Sequence, residues 1–579
     1  MIRRVRTFAQ SVARVRTWSL LIDLAVFCGV IGIFYALSFV THYWLTPPVA
    51  EAAIERSPRA LPLYAFYSLV RMGVAYLFSL LFALAYGYIA AYNKRVEALM
   101  IAILDILQSI PVLSFLPGVM LAMVALFPTR QLGLELGSIL LIFTGQVWNM
   151  AFSFYSSLKA IPRELREVTR VYGFSAVQRF FQLELPFATI GLVWNSMVSV
   201  AAGWFTLMLC EMFVLQNRDF RLPGLGSYLK TAADTGDKHA MAWGLATLIG
   251  VILLLDQLLW RPLISWSDKF KFEQVESSEP PRSPMLALAL NSSLLRSVRQ
   301  HVISPLSERA TMYLAHHKSA AKPAQPSSSR AATIISIAIF GTCGVLAIYA
   351  VVRAVVMLSG LSHAEFSGTL HAAVATLARV AGSLLIALAW TIPAGVAIGF
   401  SPRLARYAQP FAQIAASIPA TALFPIILIG IISMGGGMNT AAIILMLLGT
   451  QWYILFNVIA GALAIPSDLR DVSSIFHFNR RERWLTVILP GIFPYLVTGL
   501  VTASGGAWNA SIVAEYFHAN NQTFSTLGLG AQISLASDTS NGRLLLISTI
   551  VMAAMVVTVN RLLWKPLFRL AESRYRLDT

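Results

Sequence analysis

The sequence predicts an all-α integral membrane protein of about twelve transmembrane helices, in two parallel six-helix halves related by a pseudo-twofold axis along the membrane normal. Three observations predict it. The 579 residues are 57% hydrophobic and 12% charged, against roughly 45–50% apolar and 25% charged in soluble domains. The apolar excess falls into runs of about twenty residues, the length that crosses about 30 Å of hydrocarbon as helix. The second half of the chain also repeats the first.

In chain order, a basic segment (1–19) carries Arg3, Arg4, Arg6, Arg14 and Arg16. The run Leu20–Val40 follows and ends in His42, Tyr43 and Trp44 without small-residue cleavage chemistry, so it reads as a retained first span rather than a signal peptide. Spans are expected near 20–41, 68–91, 99–127, 135–158, 186–215 and 241–260, and again near 332–358, 370–400, 411–432, 440–463, 490–514 and 544–563. They divide the chain into a first half (20–263), a linker (264–330), a second half (331–567) and a tail (568–579). The linker is rich in Ser, Pro, Lys and Arg and cannot bury enough apolar surface to order itself, so a flexible connection is expected.

With the N-terminus inside, 33 of the 44 Lys and Arg fall on inner segments, 8 on outer segments and 3 (Arg71, Arg353 and Arg379) within spans. This matches the positive-inside rule and puts both termini in the cytoplasm. The net charge of +17 therefore reports topology, and no nucleic-acid partner is expected. Cys28, Cys210 and Cys343 sit in spans as small apolar groups, and His316 and His317 lie in the linker without further ligands at metal spacing. No metal site, catalytic constellation or bound cofactor is expected.

The repeat has an offset of 304 residues. Ile161–Val168 (IPRELREV) recurs as Ile465–Val472 (IPSDLRDV), Leu185-Pro186 as Leu489-Pro490, Trp204 as Trp508, Glu211 as Glu515, and Gly224-Leu225-Gly226 as Gly528-Leu529-Gly530. Upstream the offset is 308, pairing Arg71 with Arg379, Ile110-Pro111 with Ile418-Pro419, and Pro117 with Pro425. Six spans per half make the repeats parallel.

The loop between the fourth and fifth spans of each half is expected to carry a short helix. Pro162 suits a first helical position, and Glu164 and Glu167 suit the positive end of the helix dipole. Leu165, Val168 and Tyr172 share one side, as do Leu469, Val472 and Phe476 in the second half, where Pro466 and Asp468 repeat the start. Helix physics alone fits either a partner's groove or lipid headgroups. Glu167, then Gly173 six residues on, then Leu183-x-Leu185-Pro186, resembles the "EAA" loop of ABC importer permeases. The second loop departs from it, with Asp471 for the Glu and His477 for the Gly, while Val487-x-Leu489-Pro490 keeps the end. Ser417-Ile418-Pro419 with Pro425, and Glu515 with Gly528-Leu529-Gly530, resemble the nitrate/sulfonate/taurine branch.

That resemblance implies a bacterial inner-membrane permease importing a small anion such as nitrate, sulfonate, taurine or bicarbonate. It implies two ABC ATPase partners and a periplasmic or lipid-anchored binding protein, with the two loops as coupling helices that dock unequally. The sequence holds no G-x-x-x-x-G-K-[ST] stretch, so ATP and Mg are expected on the partners and no enzyme activity on this chain. The rival is a twelve-helix secondary transporter of major-facilitator type. Its long basic second-to-third loop is missing, since residues 92–97 read only YNKRVE.

Intramembrane polar groups are costly, which makes Trp148, Trp452, Ser153, Asn457, Asn195, Trp204, Trp508 and Asn509 candidates for lining a pathway; each also suits helix packing or an interfacial belt. Arg71 and Arg379 are expected either to snorkel to outer headgroups or to converge on the axis and guide an anion. Glu211 and Glu515 are expected to accept hydrogen bonds from the Gly-Leu-Gly turns, with a short outer helix following each turn.

Overall fold

A computed structural model describes residues 54–270 except 95, 110, 130, 213, 216, 217 and 220, and residues 362–574 except 466–468, 470, 471, 474, 520, 521 and 540. It also describes Tyr43–Leu45 and scattered positions between 297 and 360. The expected span at 20–41, most of that at 332–358 and most of the linker lie outside the described residues.

Eight described helices are long and apolar enough to cross a membrane. In the first half these are α1 (Leu61–Tyr92), α4 (Leu132–Ala160), α6 (Ala176–Glu211) and α8 (Lys238–Ser267). Between them lie α2 (Glu97–Ser109), α3 (Leu116–Leu126), α5 (Arg163–Val171) and α7 (Leu225–Asp234). The second half repeats the order with α9 (His363–Phe400), α10 (Pro402–Ser417), α11 (Ala420–Ser433), α12 (Met438–Ala464), α13 (Arg480–Ala514), α14 (Leu529–Asp538) and α15 (Gly542–Ala571). The helix expected around Leu469 shows Leu469, Val472, Ser473 and Ile475 in helical conformation.

Both halves are built on the same packing. In the first, α4 packs on α1 and α6; in the second, α12 packs on α9 and α13. Lipid tails are as apolar as the side chains, so close packing rather than the hydrophobic effect holds these helices together. Small residues permit the closest approach: a Cβ on Gly87 would lie 2.9 Å from Phe154 Cδ1, and one on its repeat partner Gly395 would lie 2.7 Å from Val458 Cγ1.

The third span of each half, expected as one helix at 99–127 and 411–432, is two helices. Pro111 and Pro419 break it, because a proline holds the preceding residue out of the helical region; Ile418 is extended (φ −78°, ψ 119°). Each break faces the other half. Asn509 Oδ1 on α13 accepts a hydrogen bond from Val112 N at 2.8 Å, and α11 packs against α6 and α7. Leu113, Leu116 and Met120 of the first half accordingly share one core cluster with Phe424, Leu445 and Trp508 of the second.

The fifth spans, expected to start at Pro186 and Pro490, instead run continuously from Ala176 and Arg480. A π-turn precedes each proline, at Phe180–Glu184 and Trp484–Ile488, and closes with Leu185 N–H on Phe180 O and Leu489 N–H on Trp484 O. The wider turn accommodates a proline that lacks an N–H without ending the helix. Two further π-turns, Asp256–Trp260 and Asn560–Trp564, also match at an offset of 304. Two small hairpins, β1–β2 (Val214–Leu215, Arg218–Asp219) and β3–β4 (Tyr516–Ala519, Gln522–Ser525), link the fifth spans to α7 and α14 and were not expected.

Candidate functional site

The loop helix α5 begins after Pro162, whose backbone is extended (φ −54°, ψ 146°), and carries Glu164 in its first turn. Its end is a Schellman motif: Gly173 N–H donates to Arg170 O at 3.1 Å and Phe174 N–H to Thr169 O at 2.9 Å, with Gly173 at φ +64°. His477 sits at the same turn of the second loop at φ +50°, and Phe478 N–H donates to Ser473 O at 3.0 Å. The repeat thus preserves a left-handed position that glycine occupies freely and histidine does not. Pro466, Asp468 and Asp471 lie outside the described residues.

The face these helices expose is the expected one except at Leu165. Leu165 is half-buried and packs with Phe180 and Leu183 against Phe154, Leu158 and Ile161, so it anchors the helix to its own bundle. Val168, Val171 and Tyr172 are exposed instead, Val171 at 84%. Val472, Ile475 and Phe476 are exposed at the repeat positions, and Leu469 with them. Val171 and Ile475 join the expected residues on these faces. Their signal is the i, i+3, i+4 spacing from Val168 and Val472, which completes an apolar patch on each loop. Glu167 is exposed. Arg166 lies partly buried and donates from Nη2 to Leu158 O at 2.5 Å, which satisfies a carbonyl at the end of α4.

At the opposite end of the bundle, Arg71 and Arg379 are neither snorkelling nor open to an axis; they are 1% and 8% exposed and held in clusters. Arg71 grips Glu135 with two bonds, Nε to Oε2 at 2.6 Å and Nη2 to Oε1 at 2.7 Å, while Nη1 reaches Glu211 Oε1 and Pro223 O, each at 2.8 Å. Glu211 also accepts from Ser68 Oγ at 2.7 Å and from Gly226 N at 2.7 Å. Arg379 repeats the plan with Glu515 at 2.7 Å and Leu527 O at 2.7 Å, and Gly530 N donates to Glu515 at 2.9 Å. Asn439 stands in place of Glu135 and Thr376 in place of Ser68.

The expected carboxylate-to-turn bonds and the short helices after the turns are thus present, and the reason for the arginines is to pair with those carboxylates. A buried carboxylate this close explains Gly224 and Gly528 as well: a Cβ would lie 2.2 Å from Glu211 Cδ and 2.1 Å from Glu515 Oε2.

The remaining pathway candidates are dispersed. Trp204 and Trp508 are core residues, 2% and 1% exposed. Trp148 packs beside Met150 and Ala151, and Trp452 meets Trp390 edge-on at 6.3 Å. Asn195 Nδ2 donates to Ser153 Oγ at 3.1 Å within the first half, and Asn457 Nδ2 to Tyr453 O at 2.8 Å within its own helix. Among these candidates, Asn509 is the one with a hydrogen bond across the seam between halves, among the described residues. No group of three metal-ligating side chains occurs among the described residues.

The family model described as "Binding-protein-dependent transport system inner membrane component" matches residues 83–259 and again 391–564. The chain is 31% identical over 145 residues to the nitrate import permease protein NrtB of Synechococcus elongatus, covering 25% of this chain and 50% of that one. It is 32% identical over 142 residues to the bicarbonate transport system permease protein CmpB of the same species, covering 24% and 50%. It is 28% identical over 165 residues to the taurine transport system permease protein TauC of Escherichia coli, covering 28% and 56%. The chain spans about half the length of the curated relatives it matches.

Proposed function

The chain belongs to the binding-protein-dependent transport system inner membrane component family, with the domain present twice, and from that premise we propose that it is the fused two-half permease of an ATP-driven importer of a small anion. The observation that carries the reading is the pair of exposed apolar patches, Val168, Val171 and Tyr172 on one loop and Val472, Ile475 and Phe476 on the other. Apolar side chains presented at repeat-related turns favour docking into a groove on each of two ATPase subunits. ATP and Mg belong to those partners, and an external binding protein delivers substrate. The nitrate, bicarbonate and taurine named for the relatives support a small-anion substrate. The excess of Lys and Arg on alternate segments favours a cytoplasmic side for both docking loops and both termini.

The test is uptake into proteoliposomes holding this chain, a copurified P-loop ATPase and a binding protein. ATP-dependent accumulation of nitrate, bicarbonate or taurine is expected. Accumulation driven by an ion gradient without ATP contradicts the reading.

A further inference from the structure

The junction between each docking loop and its fifth span is fastened differently in the two halves. In the first, Glu184 is the last residue of the π-turn and its side chain is fully buried. Its Oε1 accepts from Arg179 Nε at 2.6 Å and from Tyr92 Oη at 2.5 Å, and the Arg179 guanidinium lies 4.9 Å over the Tyr92 ring. Tyr92 is the last residue of α1, and Arg179 follows the docking helix by eight residues. One carboxylate therefore ties the first turn of α6, through which the chain leaves the docking loop, to the π-turn and to the end of α1.

In the second half the repeat places Phe400 for Tyr92 and Ile488 for Glu184, and keeps the arginine as Arg483, whose Nε is buried without a hydrogen-bond partner among the described residues. The same fold forms there around a buried isoleucine, so packing does not require the carboxylate. Glu184 even leaves its Oε2 without a partner among the described residues, a cost that Ile488 avoids. A π-turn is a natural hinge within a helix, and such turns concentrate at functional positions.

We propose that Glu184 is a transmission pin of the first half: it locks the hinge at Phe180–Glu184 so that displacement of the docking helix moves α1 and α6 together, while the hinge at Trp484–Ile488 is left to flex. As a positioning residue it acts through Arg179 and Tyr92. The claim rests on the proposed docking for its functional consequence, though not for its mechanical one.

Two measurements test it. In the purified permease alone, amide hydrogen exchange across 180–184 should be slower than across 484–488, and Glu184→Gln should remove the difference; equal exchange in the unmodified protein overturns the pin. In the complex reconstituted with its ATPase and tested with nitrate, bicarbonate and taurine, Glu184→Gln should raise ATP hydrolysed per anion imported by about threefold or more. The double change Ile488→Glu with Phe400→Tyr, which supplies Arg483 with a carboxylate, should lower it. An unchanged ratio in both overturns the pin. If the unmodified chain binds no ATPase, the docking reading fails and the exchange measurement alone decides the pin.

Discussion

At the scale of single residues, His477 is the sharpest case. It holds a left-handed backbone at φ +50° where the first loop has Gly173, a conformation that costs a side-chain-bearing residue about 1–2 kcal/mol. His477→Gly is expected to stabilise the second loop helix by about 1 kcal/mol and Gly173→Ala to destabilise the first by a similar amount. Slower and faster amide exchange in the respective helices measures this. Arg71 makes the opposite kind of prediction. Replacing it by Ala strands Glu135 and Glu211, both fully buried, at a cost of about 3–5 kcal/mol. Arg71→Lys gives up the two-pronged grip on Glu135 and should fall between, as read from thermal unfolding in detergent. The role of Arg71 was not legible in sequence, since its partners lie 64 and 140 positions away. Glu135 was never paired with it, whereas the Glu211 and Gly226 contact was legible because the repeat preserved both.

At the scale of elements, what the sequence showed and what it hid separate by period. Long apolar runs located the eight described spans, with ends off by up to about ten residues, because burial in lipid writes itself into composition. The breaks at Pro111 and Pro419 and the π-turns before Pro186 and Pro490 did not show. Hydropathy is unchanged across a one-residue kink, and proline reads as a helix start, a break or a tolerated kink according to its neighbours. On the exposed loop face only Leu165 departs, for a related reason: Leu165 and Val168 share a helical side, and only the tertiary contact with Phe180 shows that Leu165 points home. The crossing glycines give an element-level prediction. Gly87→Val and Gly395→Val push α1 off α4 and α9 off α12, and each is expected to cost about 1–3 kcal/mol of stability. Equal losses in the two halves would follow from their matching contacts with Phe154 and Val458.

At the scale of the whole molecule, the two halves form one body through reciprocal use of the broken third spans, Val112 against Asn509 on one side and Ala422 in the first-half core on the other. Because these contacts join the halves, a chain cut within the 264–330 linker should still assemble when both pieces are coexpressed, and copurification of the pieces checks it. The halves are nonetheless unequal, with Glu135 against Asn439, Gly173 against His477, and Glu184 against Ile488. The sequence exposed this duplication fully and its inequality in part.

We propose that both loops dock on ATPase subunits through their apolar patches. It is tested most directly by placing single cysteines at Val171→Cys and at Ile475→Cys and cross-linking each to the copurified P-loop ATPase. A cross-link is expected from both positions, each to a separate ATPase copy, and its loss for either position when the neighbouring Tyr172 or Phe476 is changed to Glu. An ATPase that copurifies yet cross-links from neither position would contradict it.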